Sequence, residues 1–219
     1  MAHDPESPAP TALFTPALYP VAGFTALYLA VAVAAAVRFG NIEFVFYIGV
    51  MLVLIVAVAF VYRAVRLSSG ALWALSVWGL LHMMGGLVQV PAGWPTHEGA
   101  TVLYSLWLLP GRLKYDQVVH AFGFGITTWV CWQALSAAFR SRGIAAKPSF
   151  GLLVLVWAAG LGFGAVNEVV EFAAVLLIPN TNVGGYVNTG WDLVANMTGA
   201  TVAALLIGRF TGRDSGASP

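Results

Sequence analysis

The segment YDQVVHAFGFG, residues 115–125, begins a long apolar stretch and decides how this part of the chain has to fold. It places Asp116 and His120 four residues apart, which is one face of a helix. The apolar residues that follow predict a membrane-spanning helix, because about 20 such residues cross a bilayer core. A carboxylate and an imidazole at the start of a span are costly without a partner or a ligand, and their reason for being there has to be sought elsewhere in the chain.

The composition of the whole chain is that of a membrane protein. Of its 219 residues, 59% are hydrophobic and 9% are charged, whereas a soluble domain carries about 25% charged residues. The net charge of +1 gives no basic surface of the kind that binds nucleic acid. Cys131 is the one cysteine, so an intramolecular disulfide and a cysteine-based zinc site are both excluded.

Six segments are long enough to cross a membrane and predict an all-α polytopic transmembrane helix bundle. They are residues 19–37, 43–62, 71–90, 116–139, 150–178 and 191–207. The apolar stretch 100–110 is about half the needed length, which favours a re-entrant or interfacial helix over a seventh span. We therefore expect one bundle at 17–209, a disordered tail at 1–16 and a second tail at 210–219.

The positive charges in the loops predict the orientation of the bundle. Six spans collect seven cations on one side, namely Arg63, Arg66, Arg140, Arg142, Lys147, Arg209 and Arg213, and three on the other, namely Arg38, Arg112 and Lys114. Cytoplasmic loops carry the excess of lysine and arginine. This predicts a plasma (inner) membrane protein with both termini in the cytoplasm.

Small residues predict which helices approach one another closely. Glycines cluster at Gly85 and Gly86, at Gly123 and Gly125, and in the stretch GLGFG, residues 160–164. Because small residues let membrane helices pack closely, the third, fourth and fifth helices are expected to form the centre of the bundle.

Six ionisable residues lie inside the predicted spans: His82, Asp116, His120, Glu168, Glu171 and Asp192. An ionised side chain at the bilayer centre costs roughly 2.5 to 3.5 kcal/mol on insertion scales, so each needs a partner, a proton or a wet cavity. Because successive spans cross the membrane in opposite directions, all six residues are expected in the outer half of the membrane. Their shared depth predicts one polar pocket formed by four helices.

The spacing of these residues suits a metal site. Pairs at i,i+4 and i,i+3 project from one helix face, as in the carboxylate–histidine sites of helix bundles. The pattern predicts His82, His120, Glu168 and Asp192 as ligands, with Glu171 or Asp116 as general base. Imidazole and carboxylate ligands suit zinc, manganese or iron.

Each of these residues also has a structural interpretation, which taken singly is the better one. A lone His82 is more often a hydrogen-bonded core residue, the glutamates can fix helix register, and Asp192 can stabilise a helix N-terminus. Arg112 and Lys114 are either plain interfacial charges or a means of attracting an anionic headgroup. Only the joint placement of six groups at one depth favours a functional site.

The motifs LHMMGG, YDQVVHAFGFG, AVNEVVEF and GWDLVANMTGA, in this order over residues 81–200, resemble the YjdF-like inner-membrane proteins and, more loosely, the VanZ-like family. The YjdF-like pattern matches at His82, Asp116, His120, Glu168, Glu171 and Asp192. The VanZ-like pattern adds Asn196 and Gly199. This chain departs from the YjdF-like pattern at Asn188, where an aspartate is usual. The resemblance implies a multispan membrane protein and leaves its reaction open.

Three functions remain open on the sequence. The first is a metal-dependent hydrolase or transferase acting on a lipid-linked substrate, with Asn188 and Asn196 as supporting polar residues. The second is a proton-coupled carrier, since intramembrane acids and histidines are typical of proton relays. The third is a structural membrane protein with a buried polar network. The substrate and the oligomeric state stay undetermined.

Overall fold

Helices dominate the computed structural model, which describes residues 16–97 and 100–211. They are α1 (Leu18–Arg38), α2 (Ile42–Val65), α3 (Ser69–Leu87), α4 (Tyr115–Arg140), α5 (Phe150–Leu177) and α6 (Tyr186–Thr211). All six are long and apolar enough to cross a membrane, which confirms the predicted all-α polytopic bundle. The predicted tails, 1–16 and 210–219, lie outside the described residues except for Pro16, Phe210 and Thr211.

Polar caps explain where several helices begin. The side chain of Asn41 accepts a hydrogen bond from the Phe44 amide at 3.1 Å, and Ser68 accepts one from the Ala71 amide at 3.2 Å. Ser149 caps α5 in the same way. Each cap satisfies an amide that the first helical turn leaves without a partner, so these short loops end sharply at the next helix.

The segment between α3 and α4 forms a cap at one end of the bundle, which we call the hairpin end. Residues Leu103–Ser105 form a 3-10 turn, and β1 (Trp107–Leu109) pairs antiparallel with β2 (Leu113–Lys114). The turn between the strands contains Pro110 and Gly111, the latter with a φ of 68° that favours glycine. Residues 100–110 are therefore not a seventh span, as predicted. They contain a 3-10 turn and the first strand of a hairpin in place of the expected re-entrant or interfacial helix.

Tyr104 anchors this cap to α3. Its hydroxyl donates a 2.7 Å hydrogen bond to the carbonyl of His82, and its ring occupies the space left by Gly85. Burial raises the pKa of Tyr104 well above its ordinary value, so the hydroxyl keeps the proton that it donates. The cap thereby covers the end of α3 next to the polar residues.

The helices α4 and α6 approach each other at Gly199. A Cβ at Gly199 would collide with the backbone carbonyl of Ala121, and one at Gly125 would lie 3.2 Å from the Gly199 carbonyl. On α5, Gly160 faces Thr128 and Gly164 faces Asn196. Small residues thus let α4 and α6 meet almost backbone to backbone and let α5 pack on the side chains of Thr128 and Asn196.

The glycines of α3 have a different role from the one that the sequence predicts. Gly86 makes room for the ring of Phe44, as Gly85 does for Tyr104, and Gly123 on α4 makes room for the indole of Trp78. These contacts place aromatic rings between helices instead of bringing two backbones together. The central close approach therefore uses α6, through Gly199, in place of α3.

Replacing Gly199 by alanine is expected to destabilise the bundle by about 1–3 kcal/mol, because the new methyl group overpacks a rigid backbone contact. The matched control is Gly162→Ala, since Gly162 lies in α5 with open space around its Cβ position and alanine favours helix by up to about 1 kcal/mol. Thermal unfolding in detergent, followed by tryptophan fluorescence, measures both. Equal melting temperatures for the two variants would contradict the proposed close contact.

Candidate metal centre

Five acidic and histidine side chains from three helices converge in the half of the bundle near the hairpin end, and we call them the candidate metal centre. They are Asp116, His120, Glu168, Glu171 and Asp192. The helices α4 and α6 start at this end, and α5 ends there. At 1.5 Å per residue, His120, Asp192 and the two glutamates lie about 8 to 14 Å from the helix ends, whereas Asp116 lies in the first turn of α4.

His120 lies at the middle of the centre and is 2% exposed. Its Nε2 is 3.5 Å from Asp116 Oδ1 and 3.6 Å from Glu171 Oε1, and its Nδ1 is 3.6 Å from Glu168 Oε1. These separations are longer than the usual hydrogen bond of 2.7–3.2 Å. They approach the roughly 3.0–3.4 Å between two ligands that each lie about 2.1 Å from one ion.

Asn196 fixes the orientation of the His120 ring. Its Oδ1 lies 3.0 Å from His120 Nδ1, and because an amide oxygen only accepts, Nδ1 carries the hydrogen of this bond. The other ring nitrogen, Nε2, is then left with a lone pair between Asp116 and Glu171. A histidine whose second nitrogen donates to an oxygen in this way has the arrangement usual for a metal ligand.

Two of the carboxylates have buried oxygens without a hydrogen-bond donor. Both oxygens of Glu168, whose side chain is 9% exposed, and Oδ1 of the fully buried Asp192 have no hydrogen-bond partner. Buried polar atoms are paired in the great majority of proteins, and an isolated buried carboxylate is costlier still. The oxygens of Glu168 and Asp192 are therefore positioned to meet a cation.

The donor atoms fall into two groups that share one residue. Asp116, His120 and Asp192 form the first group, and His120, Glu168 and Glu171 form the second; within each, all ligand atoms lie within 4.8 Å of one another. Four carboxylates around one imidazole make this region strongly acidic. Such a region binds cations by its charge as well as by its geometry.

Asn188 and Lys114 connect the centre to the hairpin. The helix α6 begins at Tyr186, five residues before the predicted start, so Asn188 lies one turn before Asp192 and donates from Nδ2 to Asp192 Oδ2. Its Oδ1 accepts from the buried Lys114 Nζ, which is 3.9 Å from Asp116 Oδ2. Lys114 thus occupies the one atom by which Asn188 would bind a metal.

His82 and Arg112 lie apart from these contacts. The ring of His82 is surrounded by aromatic rings, 5.5 Å from Tyr104, 6.2 Å from Tyr47 and 6.3 Å from Trp78 between centroids. It belongs to neither of the two donor groups. Arg112 is exposed and lines a groove between α4 and α6.

Two polar contacts in the spans were not singled out from the sequence. Asn167 donates from Nδ2 to Glu171 Oε1 at 2.8 Å, an i,i+4 pair that the motif AVNEVVEF contains. Glu43, 5% exposed at the start of α2, accepts from the backbone amide and side chain of Asn182 at 2.8–3.0 Å. Glu43 is therefore a buried carboxylate with donors, in contrast to Glu168, and it ties α2 to the loop between α5 and α6.

A family model described as "Predicted membrane protein (DUF2238)" matches residues 20–213. The chain belongs to this family. The YjdF-like proteins are the DUF2238 family, so that resemblance is confirmed, whereas the looser VanZ-like similarity stays a prediction. No curated protein and no solved structure matches the chain. The DUF2238 match includes every residue of the candidate metal centre.

Removing Asn188 tests the link between Lys114 and Asp192. Asn188→Ala removes a buried partner from both the Lys114 ammonium and the Asp192 carboxylate. The free energy of unfolding is expected to fall by about 1–3 kcal/mol. Lys114→Met is expected to weaken the same link, so the double variant loses less than the sum of the single losses. Thermal unfolding of the four proteins measures this coupling.

The control is Asn180→Ala in the exposed loop after α5, which is expected to change the stability by less than about 0.5 kcal/mol. Strictly additive losses in the cycle would mean that Asn188 and Lys114 act independently.

Proposed function

We propose that this DUF2238 protein holds a divalent cation in the candidate metal centre and acts as a metal-dependent hydrolase or transferase on a lipid-linked substrate. The observation that carries the proposal is a set of three buried carboxylate oxygens near the His120 imidazole, both of Glu168 and Oδ1 of Asp192, that lack hydrogen-bond donors. A purely structural network would be expected to pair these oxygens. A cation would satisfy them at once.

The contacts support different roles for the residues predicted as ligands. His120, Glu168 and Asp192 are the proposed protein ligands, with Glu168 and Asp192 in different donor groups that share His120. Asp116 and Glu171 lie beside His120 Nε2 as candidate general bases. Glu171 is held by Asn167 and is the better-positioned base. His82, which belongs to neither donor group, is assigned to the pocket wall.

The donor set bears on the identity of the metal. With one imidazole and up to four carboxylates, the ligands are mostly hard oxygen atoms. Among zinc, manganese and iron, manganese is the ion that carboxylate-rich sites suit best. The bound ion would polarise a phosphoryl or acyl oxygen and lower the pKa of a water ligand. The chain itself would supply Glu171 to accept a proton. Lys114 is buried and paired with Asn188 and Asp116, so it would hold these residues in place and would not contact a headgroup.

The charge distribution supports an orientation for the site. The excess of lysine and arginine at the opposite end of the bundle favours the plasma membrane with cytoplasmic termini and with the hairpin end outside. The centre would then meet substrates of the outer leaflet. Protease accessibility of a C-terminal tag in intact and in lysed cells tests this orientation.

Packing beneath the centre argues against the proton-coupled carrier. Thr128 is fully buried against Gly160, and its hydroxyl donates to the carbonyl of Phe124 at 2.7 Å. Ala200 closes the same level from α6. The hydroxyls of Thr127 and Thr128 both donate to carbonyls of α4 itself, at 2.9 and 2.7 Å, so neither donates to a neighbouring helix as a relay across the membrane would require.

Metal analysis of the protein purified in detergent tests the first half of the proposal. We expect about one equivalent of a divalent metal in the wild type and loss of most of it in His120→Ala and Asp192→Asn, because each variant removes a ligand. The matched control is Glu43→Gln, which alters a buried carboxylate outside the centre. Metal-free wild-type protein after supplementation with manganese, zinc and iron would refute the metal centre.

Turnover tests the second half. Wild-type protein in nanodiscs is incubated with a total membrane lipid extract and manganese, and the lipids are followed by mass spectrometry. We expect a product whose formation falls by about 10²–10⁴-fold in Glu171→Gln, since a general base contributes this much. Metal binding without any conversion, combined with metal flux in proteoliposomes, would favour a carrier instead.

A further inference from the structure

A groove of about 760 Å³ runs between α4 and α6 on a side that does not include the candidate metal centre. Small residues form its floor, with Ala121 and Gly125 on α4 and Ala195, Gly199 and Ala203 on α6. None of the five residues of the candidate metal centre lines it. The groove follows from the close approach of the two helices, and the larger side chains of Phe122, Trp129 and Trp191 also line it.

Along α6 the groove reaches from Trp191 to Thr211. Twenty residues at 1.5 Å each correspond to about 30 Å, which is the thickness of the hydrocarbon core of a bilayer. The furrow is therefore as long as the apolar layer and open to it. An extended hydrocarbon chain has the shape and the polarity that such a furrow accepts.

The charge of the lining is confined to one end. Arg112, exposed at the hairpin end, is the ionisable residue among the described residues that line the groove. The neighbouring Lys114 is also a cation, but it is buried and paired with Asn188 and Asp116 and is not among the residues that line the groove. Trp191 lies at the same end, where indoles favour the headgroup region.

We propose that this groove is a binding site for one anionic phospholipid, with its phosphate at Arg112 and an acyl chain between α4 and α6. The apolar furrow supplies contact along the chain, and the guanidinium fork supplies charge and hydrogen bonds for the phosphate. The site goes beyond the proposed reaction and does not depend on a metal. The phospholipid bound in this groove would be distinct from the substrate that would reach the candidate metal centre.

Native mass spectrometry of the detergent-purified full chain tests the proposal. The protein is titrated with phosphatidylglycerol and with phosphatidylcholine of the same acyl composition. We expect one retained phosphatidylglycerol and an affinity about fivefold higher than for phosphatidylcholine, as one cation near an anionic headgroup provides. Arg112→Gln is expected to abolish this preference, whereas Arg63→Gln, an exposed arginine at the opposite end, retains it.

Two tryptophan substitutions on α6 separate the groove from the general lipid surface. Val202 lines the groove and Leu205 does not, and both are exposed. Val202→Trp is expected to lower retention of both lipids at least fivefold, while Leu205→Trp leaves it unchanged. The metal content of Arg112→Gln stays at the wild-type level, so failure of this site is distinguishable from failure of the metal centre.

Two results would overturn the lipid site. The first is equal retention of the two lipids by the wild type together with no effect of Arg112→Gln. The second is a dimer in native mass spectra that Val202→Trp dissociates, which would make a second copy of the chain the occupant of the groove.

Discussion

The close approach of α4 and α6 at Gly199 is the contact on which the rest of the arrangement depends. Because the glycine lies directly against the carbonyl of Ala121, the residues one turn nearer the hairpin end also meet. Asn196 thereby reaches Nδ1 of His120, and Asp192 comes close to Asp116. A side chain at Gly199 would separate the two helices and, with them, the polar groups that each one carries.

Buried charge has two different meanings in this bundle, and the hydrogen bonds distinguish them. Glu43 accepts from the amide and the side chain of Asn182, so its burial is compensated within the protein and it acts as a tie between distant segments. Glu168 and Asp192 have oxygens without such donors. Burying an unpaired carboxylate oxygen costs free energy, and the proposed cation would offset that cost for Glu168 and Asp192. A divalent cation would do so better than a proton, because it interacts with several carboxylates together.

Length and apolar composition were sufficient to predict the six helices, since spanning a bilayer is largely a matter of 20 apolar residues. The i,i+4 and i,i+3 spacings likewise predicted that Asp116 would accompany His120 and Glu168 would accompany Glu171. The start of α6 was less predictable because the polar residues before Trp191 look like loop. Only the structure shows that Asn188 is helical and therefore faces Asp192.

Long-range contacts explain the remaining differences. No local sequence pattern predicts that Lys114 contacts Asn188 or that Tyr104 contacts α3. Both contacts depend on the fold of the segment between α3 and α4, where a hairpin is paired through backbone hydrogen bonds. His82, like His120, is a histidine inside a predicted span in the outer half of the membrane, yet its side chain is surrounded by three aromatic rings. A sequence predicts the type of a residue and its depth in the membrane. Which neighbouring side chains it faces depends on how the helices pack.

The shape of the polar region also bears on what kind of chemistry it supports. A carrier needs alternating access, and hence polar groups or a movable seal on both sides of its binding site. Beneath His120 the space is filled by Phe124 and by Thr128 packed on Gly160, a layer with small residues and little room. Opening it would require α5 to move away from Thr128 and α4 and α6 to separate at Gly199, where their backbones meet. A centre that is rigid below and bordered by a hairpin above is better suited to holding an ion and a substrate headgroup from one side of the membrane.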